Sequence, residues 1–391
     1  MSTDAFTQEL NDLHLRLRRA VGLQDVKYIQ NCELAGRLCT LAGFATAWIL
    51  LNPVSMLLIA IGQVTRWAIA HHVLHRAFDG IEGLPDCYKG SVFGRGWRRL
   101  IDWNEWMLPA GFQHEHNVHH AYTGHDQDPD VVEANVEYIR SCKKPRWVKY
   151  LIALFVGLTW RLSYYAPGTF IQLRRKQKGL RATRYQFNSM LLFAHIFNPF
   201  SIEGLHFWRC CILPTLISRF VIIPALFLPL GIRAALNVLL TVIAAELLTN
   251  LYTFILIASS HTGDDISRFD VASRGRPDFY RHQLLGTVNY HRGPAIRDFL
   301  QMWINYQIEH HIFPNLPPSQ YAACTREVEK ICNKHGVPYR SERLRRRMWR
   351  MLDVVVGKTT MPRITSHAEQ PAEMCLASIG KSEPVASALV G

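Results

Sequence analysis

Histidine is concentrated in three short segments: His71-His72-Val73-Leu74-His75, His114-Glu115-His116-Asn117-Val118-His119-His120 and Gln307-Ile308-Glu309-His310-His311. They hold nine of the 18 histidines of a 391-residue chain. Composition alone would put about one there. Neither helix nor strand formation asks for imidazole at that density, whereas metal binding does, because neutral imidazole ligates iron, copper and zinc alike. On a helix, His71 and His75 share a face, as do His116 and His120, with His119 one turn from His116. His72 points about 100° away from His71, and His114 faces elsewhere, toward a supporting position or the surface. Neighbours such as His119–His120 and His310–His311 diverge by the same about 100°, so each member of a pair can serve a different ion. The spacing therefore favours two metals between the segments. Hydrolytic zinc sites need only three protein ligands and a water. Two irons that activate O2 would use the whole set.

The elements that must bring these segments together are apolar. Residues 34–51 and 53–70 are separated by Asn52-Pro53, and residues 211–230 and 236–258 by a turn containing Gly231. Each block has about the length that crosses bilayer hydrocarbon as a helix. The expected fold is all-α and integral to a membrane: four transmembrane helices in two hairpins, with a cytoplasmic helical cap holding the metal site. Each hairpin returns the chain to its starting side. The three flanking regions are basic, with Arg16, Arg18 and Arg19, then Lys143, Lys144 and Arg146, then Arg340, Arg343, Arg345, Arg346, Arg347 and Arg350. The positive-inside rule puts them, and every histidine segment, in the cytoplasm. The net charge of +13 then serves anionic lipid headgroups rather than nucleic acid. His261, just past the last apolar block at the depth of His71, is a further ligand candidate.

Residues 1–33 read as a polar cytoplasmic arm, partly helical through Leu10, Leu13, Leu15 and Leu17; 34–356 form the membrane domain; 357–391 read as a disordered tail. Apolar residues 147–163 contain Lys149 and Arg161 and read as an interfacial helix. Arg66 is placed to snorkel, and Glu246 to pair with Arg219 as glue between helices. Nine cysteines without a Cys-x-x-Cys spacing fit a reducing compartment better than a disulfide framework. The polar segment Met1–Arg19 does not read as a cleavable signal. His14, His195, His206, His335 and His367 read as bystanders. His125, His282 and His291 are open between a supporting role and chance placement in a loop.

The pattern His71-x-x-x-His75, His116-x-x-His119-His120 and Gln307-x-x-His310-His311 resembles the membrane fatty acid desaturase family. The stretch Thr123-Gly124-His125-Asp126-Gln127-Asp128-Pro129-Asp130 is similar to the residues after that family's second box. Gln307 to Pro314 looks like the third box of its front-end and linoleoyl-type branch. The likeness covers roughly residues 34–320, and three boxes in order are far more specific than any one of them. It implies two non-haem iron ions (Fe2+), O2 as co-substrate, two external electrons, and an acyl lipid or acyl-CoA that gains a double bond. The implied ligands are His71, His75, His116, His119, His120, His310, His311 and His261. Gln307 stands where other branches have histidine, either coordinating or holding a water. Asp128 and Asp130 either orient ligand rings or cap the turn at Pro129. Unlike many front-end enzymes, the sequence has no His-Pro-Gly-Gly haem motif, so a separate ferredoxin- or cytochrome b5-like donor is expected to dock on the basic face. A lipid hydroxylase would use the same ligands. A polytopic metal transporter is the remote alternative, since it would hold ligands near the bilayer midplane.

Overall fold

The computed structural model of the chain describes residues 4–180 and 195–366, and over these its regular secondary structure is helical apart from four two-residue strands. Helix α1 (Ala5–Ala20) starts where Asp4 Oδ1 accepts the Thr7 N–H at 2.9 Å. It buries Phe6, Leu10, Leu13 and Leu17 at helical spacing and leaves Leu15 exposed. Arg18 near its end donates to the carbonyls of Ala77, Asp79 and Asn315. The arm thus ties the chain after the first histidine segment to the chain after the third.

Helix α2 (Leu23–Ala47) and α3 (Pro53–Leu74) form an antiparallel pair around the expected turn. Asn52 caps α3 by accepting the Ser55 N–H at 2.7 Å, and Pro53 takes a first position that needs no N–H. The pair packs through small residues. A Cβ on Gly43 would lie 2.7 Å from Ile59 Cγ1, and one on Gly62 would run into Thr40. Close backbone approach of this kind is how helices associate in lipid, where apolar burial offers no drive.

After α4 (Pro109–Tyr122), α5 (Arg146–Leu158) and α6 (Ala166–Gln177), the chain forms α7, a continuous helical run over Ile202–Leu230, and α8 (Ile232–His261). Helix α7 contains wide π-type turns at Trp208–Ile212 and Leu216–Ile222. Pro214 and Pro224 each come two residues after one of them, and a proline's missing N–H breaks the regular ladder. Gly231 joins α7 to α8 at φ 103°, a region that only glycine enters freely. Among the described residues three helices, α3, α7 and α8, are long and apolar enough to cross a membrane. The helix over the first expected block is not among them: α2 begins earlier than residue 34 and carries Asp25, Lys27, Glu33 and Arg37. Helix α5 exposes Trp147, Leu151 and Phe155 while Gly157 packs on Phe254 of α8, as an interfacial helix would.

Between these helices lies a buried charge cluster. Arg161 bonds Glu105 at 2.7 Å and Glu246 at 2.6 Å, and Arg219 pairs with the same two carboxylates. The Trp106 indole N–H and Asn250 complete it. The Arg219–Glu246 pairing read from the sequence is present, enlarged by Arg161 and Glu105. Arg66 reaches Glu33 at 2.8 Å instead of running free to a headgroup.

Beyond α8 and beside shorter helical turns lie α9 (Arg276–Gly286), α10 (Gln307–Ile312), α11 (Tyr321–Lys334) and α12 (Leu344–Val355). Two parallel strand pairs accompany them: β1 (Arg268–Phe269) with β4 (Arg363–Ile364), and β2 (Asn289–Tyr290) with β3 (Ser341–Glu342). Residues 357–366, at the start of the expected structureless tail, are tied down: Met361 and Ile364 are buried and β4 pairs with β1. The rest of that tail, including His367, lies outside the described residues.

Candidate metal centre

The first histidine segment and His261 close long apolar helices, and the other two segments lie within shorter ones. Helix α3 carries His71 and His72 in its last turn, and His75 closes it through its N–H to the His71 carbonyl at 3.1 Å. Helix α4 carries the second segment, and α8 ends on His261. Helix α10 carries Gln307, His310 and His311 and stops before Pro314, as the clash of a proline with a preceding helical residue requires. The chain enters α10 through Met302 and Trp303, both left-handed at φ 55° and 57°. Such backbone costs about 1–3 kcal/mol per residue; burial of both side chains and a Trp303 indole bond to the Tyr28 hydroxyl hold it.

The imidazoles converge as two groups. His71, His75, His116, His120 and His310 form one, and His119, His261 and His311 the other, with the nitrogen atoms of each group within 4.8 Å of one another. The adjacent pairs divide: His120 and His310 face the first group, His119 and His311 the second. His71 and His116 bring their Nε2 atoms to 2.7 Å, and His116 and His120 to 3.3 Å. Two ligands at right angles about a metal, with bonds of about 2.1 Å, stand about 3 Å apart. Gln307 lays its amide against the second group, with Nε2 2.7 Å from His261 Nε2 and its buried Oε1 without a partner among the described residues.

Hydrogen bonds behind the rings fix which nitrogen faces inward. Tyr321 donates its hydroxyl to the Leu316 carbonyl, so it accepts from His310 Nδ1 at 3.0 Å. Gln283 donates its amide to the His120 carbonyl, so its Oε1 accepts from His311 Nδ1 at 2.8 Å. Asp128 accepts from His119 Nδ1 at 2.9 Å. In each case Nε2 is left as the inward lone pair, and the Nε2 atoms of His310, His311 and His75 are buried without a partner among the described residues. Burial, and then neighbouring imidazoles, hold His116, His120, His310 and His311 well below the ordinary histidine range. Burial also opposes charge on His119, but the carboxylates of Asp128 and Asp130 together raise that group. Neutral rings with orphaned nitrogens are what metal ligation needs, and the residues fit two ions.

The supporting candidates separate. Asp128 touches a ring and also caps the turn, accepting the Gly124 N–H at 2.9 Å and the Asp130 N–H at 2.8 Å. Asp130 bonds the hydroxyls of Tyr164 and Tyr165 instead of a histidine, and burial raises its pKa to about 6. His72 is buried against Trp303, His310 and Tyr321, outside both groups. His114 and His125 are half-buried and also outside; His125 accepts the Gln127 N–H within its own turn. His282 stacks on Phe269. Gln283 and Tyr321 escaped the sequence reading because no local pattern marks them; only their contact with α10 gives them a role. Asp128→Asn should lower metal affinity or activity by about 10–100-fold, the usual cost of losing a ring-orienting carboxylate. Metal content by mass spectrometry beside product formation checks this, and unchanged values for both would remove Asp128 from the site.

A helical protein that gathers eight imidazoles beside helices long and apolar enough to cross a membrane carries a histidine-based candidate metal centre, and comparison with known proteins gives its family. The chain belongs to the fatty acid desaturase family, whose model matches residues 46–343, and it is an oxidoreductase of that family. It is similar to the NADPH-dependent stearoyl-CoA 9-desaturase of Mycobacterium tuberculosis, 24% identical over 359 residues that cover 85% of this chain and 74% of the relative. It also resembles the Delta(6)-fatty-acid desaturase fat-3 of Caenorhabditis elegans, 27% identical over 58% of this chain and 48% of the relative. A shorter stretch of 59 residues is 44% identical to the Delta(8)-fatty-acid desaturase of Euglena gracilis, covering 15% of this chain and 14% of the relative.

Proposed function

We propose that this chain is a four-span membrane desaturase holding two non-haem irons, and that it converts CH2–CH2 of a lipid-linked or CoA-linked acyl chain to CH=CH. The observation that carries the reading is the division of eight histidines into two imidazole groups, adjacent residues going to opposite groups. Such a pair of irons supplies O2 activation when bound; overall, O2, two external electrons and two protons enter while one C–C single bond becomes double and two waters leave. His71, His75, His116, His120 and His310 would hold one ion, and His119, His261, His311 and Gln307 the other. Asp128, Gln283 and Tyr321 orient their rings. Helices α2, α3, α7 and α8 are the spans in this reading, and the basic flanks put the histidines in the cytoplasm.

An apolar cavity of about 250 Å³ between α3 and α8 supports an acyl substrate. Leu57, Ala60, Val64, Leu248 and Thr249 line it, on the two helices whose ends carry His71 and His261. That the histidines gather at helix ends, rather than half-way along them, weighs against the transporter reading.

A fatty acid profile with double-bond mapping, from cells expressing the chain with and without an added donor, tests the reading. A new unsaturated species with a defined position is the expected result. A hydroxylated species would move the assignment to a hydroxylase, and an unchanged profile with iron-loaded protein would overturn an acyl substrate.

A further inference from the structure

Helix α12 caps the end of α8 at the histidine-bearing face of the bundle. Its buried Arg347 donates to the carbonyls of Ser259 and Thr262, which flank His261. Beside it lies a depression of about 810 Å³ rimmed by Arg340, Arg343, Arg345, Arg346 and Trp349. Arg345, Arg346 and Trp349 share one face of α12, one turn apart. Trp349 is 53% exposed and is the one large exposed apolar side chain on α12. The carboxylates here are already engaged: Glu342 by Arg346, Arg347 and Arg350, Asp265 by Arg347, and Asp264 by Arg350. Arg343 and Arg345 are exposed and have no ion pair among the described residues. The surface therefore carries uncompensated positive charge around one aromatic anchor, the composition of a protein-binding hot spot. A helix lying on lipid would expose several apolar side chains instead.

The floor of the depression is joined to the third histidine segment. Tyr339 donates its hydroxyl to Glu309 Oε1 at 2.7 Å, and Glu309 directly precedes His310. Asn289 donates its side chain to Glu309 Oε2 at 2.9 Å and its backbone N–H to the Arg340 carbonyl at 3.0 Å. From Tyr339 to His310 the path is one hydrogen bond, the Glu309 side chain and one peptide link.

We infer that this surface is the docking face for a small acidic one-electron carrier protein, with Arg343, Arg345 and Arg346 steering it and Trp349 packing beneath it. The inference rests on the reading above that a separate protein supplies the electrons. Each docking oxidises the carrier by one electron and reduces the metal centre by one, so two dockings serve each double bond. Charge steering of this kind acts on association rate and fades with salt.

The test compares the purified parent with the variant R343E/R345E/R346E, and separately with Trp349→Ala. Binding of an acidic [2Fe–2S] ferredoxin and of an acidic soluble cytochrome b5 haem domain is measured by biolayer interferometry at low and high salt. Product formation is measured with each carrier and with dithionite as a small reductant. The triple variant should bind at least one carrier about tenfold or more weakly at low salt. The difference should shrink at high salt, and melting temperature and dithionite-driven turnover should stay at parent values. Equal carrier affinity in parent and variant would overturn the inference. So would a raised KM for acyl-CoA with carrier binding intact, which would make the arginines a site for the substrate's phosphates. If the parent makes no double bond even with dithionite, the proposed reaction fails, and the binding comparison still decides this surface.

Discussion

His310→Ala, or His120→Ala, is expected to abolish double-bond formation while the protein still inserts into membranes and elutes as the parent does. Both rings face the five-histidine group, and neither is at the surface. Losing a group that merely orients a ligand already costs about 10–100-fold, so losing the ligand itself should cost more and take turnover below detection. Iron should fall from two ions per chain toward one, since His119, His261 and His311 remain. Parent-level turnover with full iron in either variant would remove the first group from the mechanism. His72→Ala is the informative neighbour. Its ring lies outside both groups, so iron stoichiometry should stay at two.

The second large effect belongs to Arg161. Its side chain is fully buried and is shared between Glu105 and Glu246. Arg161→Met leaves two carboxylates with Arg219 as their remaining arginine partner. Removing one member of a buried ion network costs about 3–5 kcal/mol, most of it from stranding the partner's charge. The expected result is a clear drop in melting temperature in detergent and poor recovery from membranes. Adding Glu246→Gln to Arg161→Met should restore part of the loss, because it removes one stranded charge. A single variant melting with the parent would mean that water or another cation already compensates these carboxylates.

The chemistry was legible because its signals are local. Imidazole density, the i, i+4 spacing of His71 with His75 and of His116 with His120, and the divergence of adjacent histidines all derive from residue type and helical pitch. The apolar blocks announced α3, α7 and α8 for the same reason: length and hydropathy are properties of a segment. The α2 region was harder, since its apolar block continues a polar helix whose charges find partners such as Arg66 only in the folded chain. Asp130 and Asp128 looked alike in sequence, two residues apart in one turn, yet only Asp128 meets a ring.

By itself, then, the sequence determined that this is a helical chain with membrane-length apolar segments and a histidine-based metal chemistry, because those properties are written at separations of a few residues. The tertiary structure alone decided which histidines share a group, that Gln283 and Tyr321 set the inward nitrogens, that Arg161 joins Glu105 to Glu246, and that Tyr339, shortly before basic α12, bonds the residue next to His310. Those relations join residues far apart in the chain, and no local spacing encodes them; they exist only once the ends of α3, α4, α8 and α10 have been packed into one place.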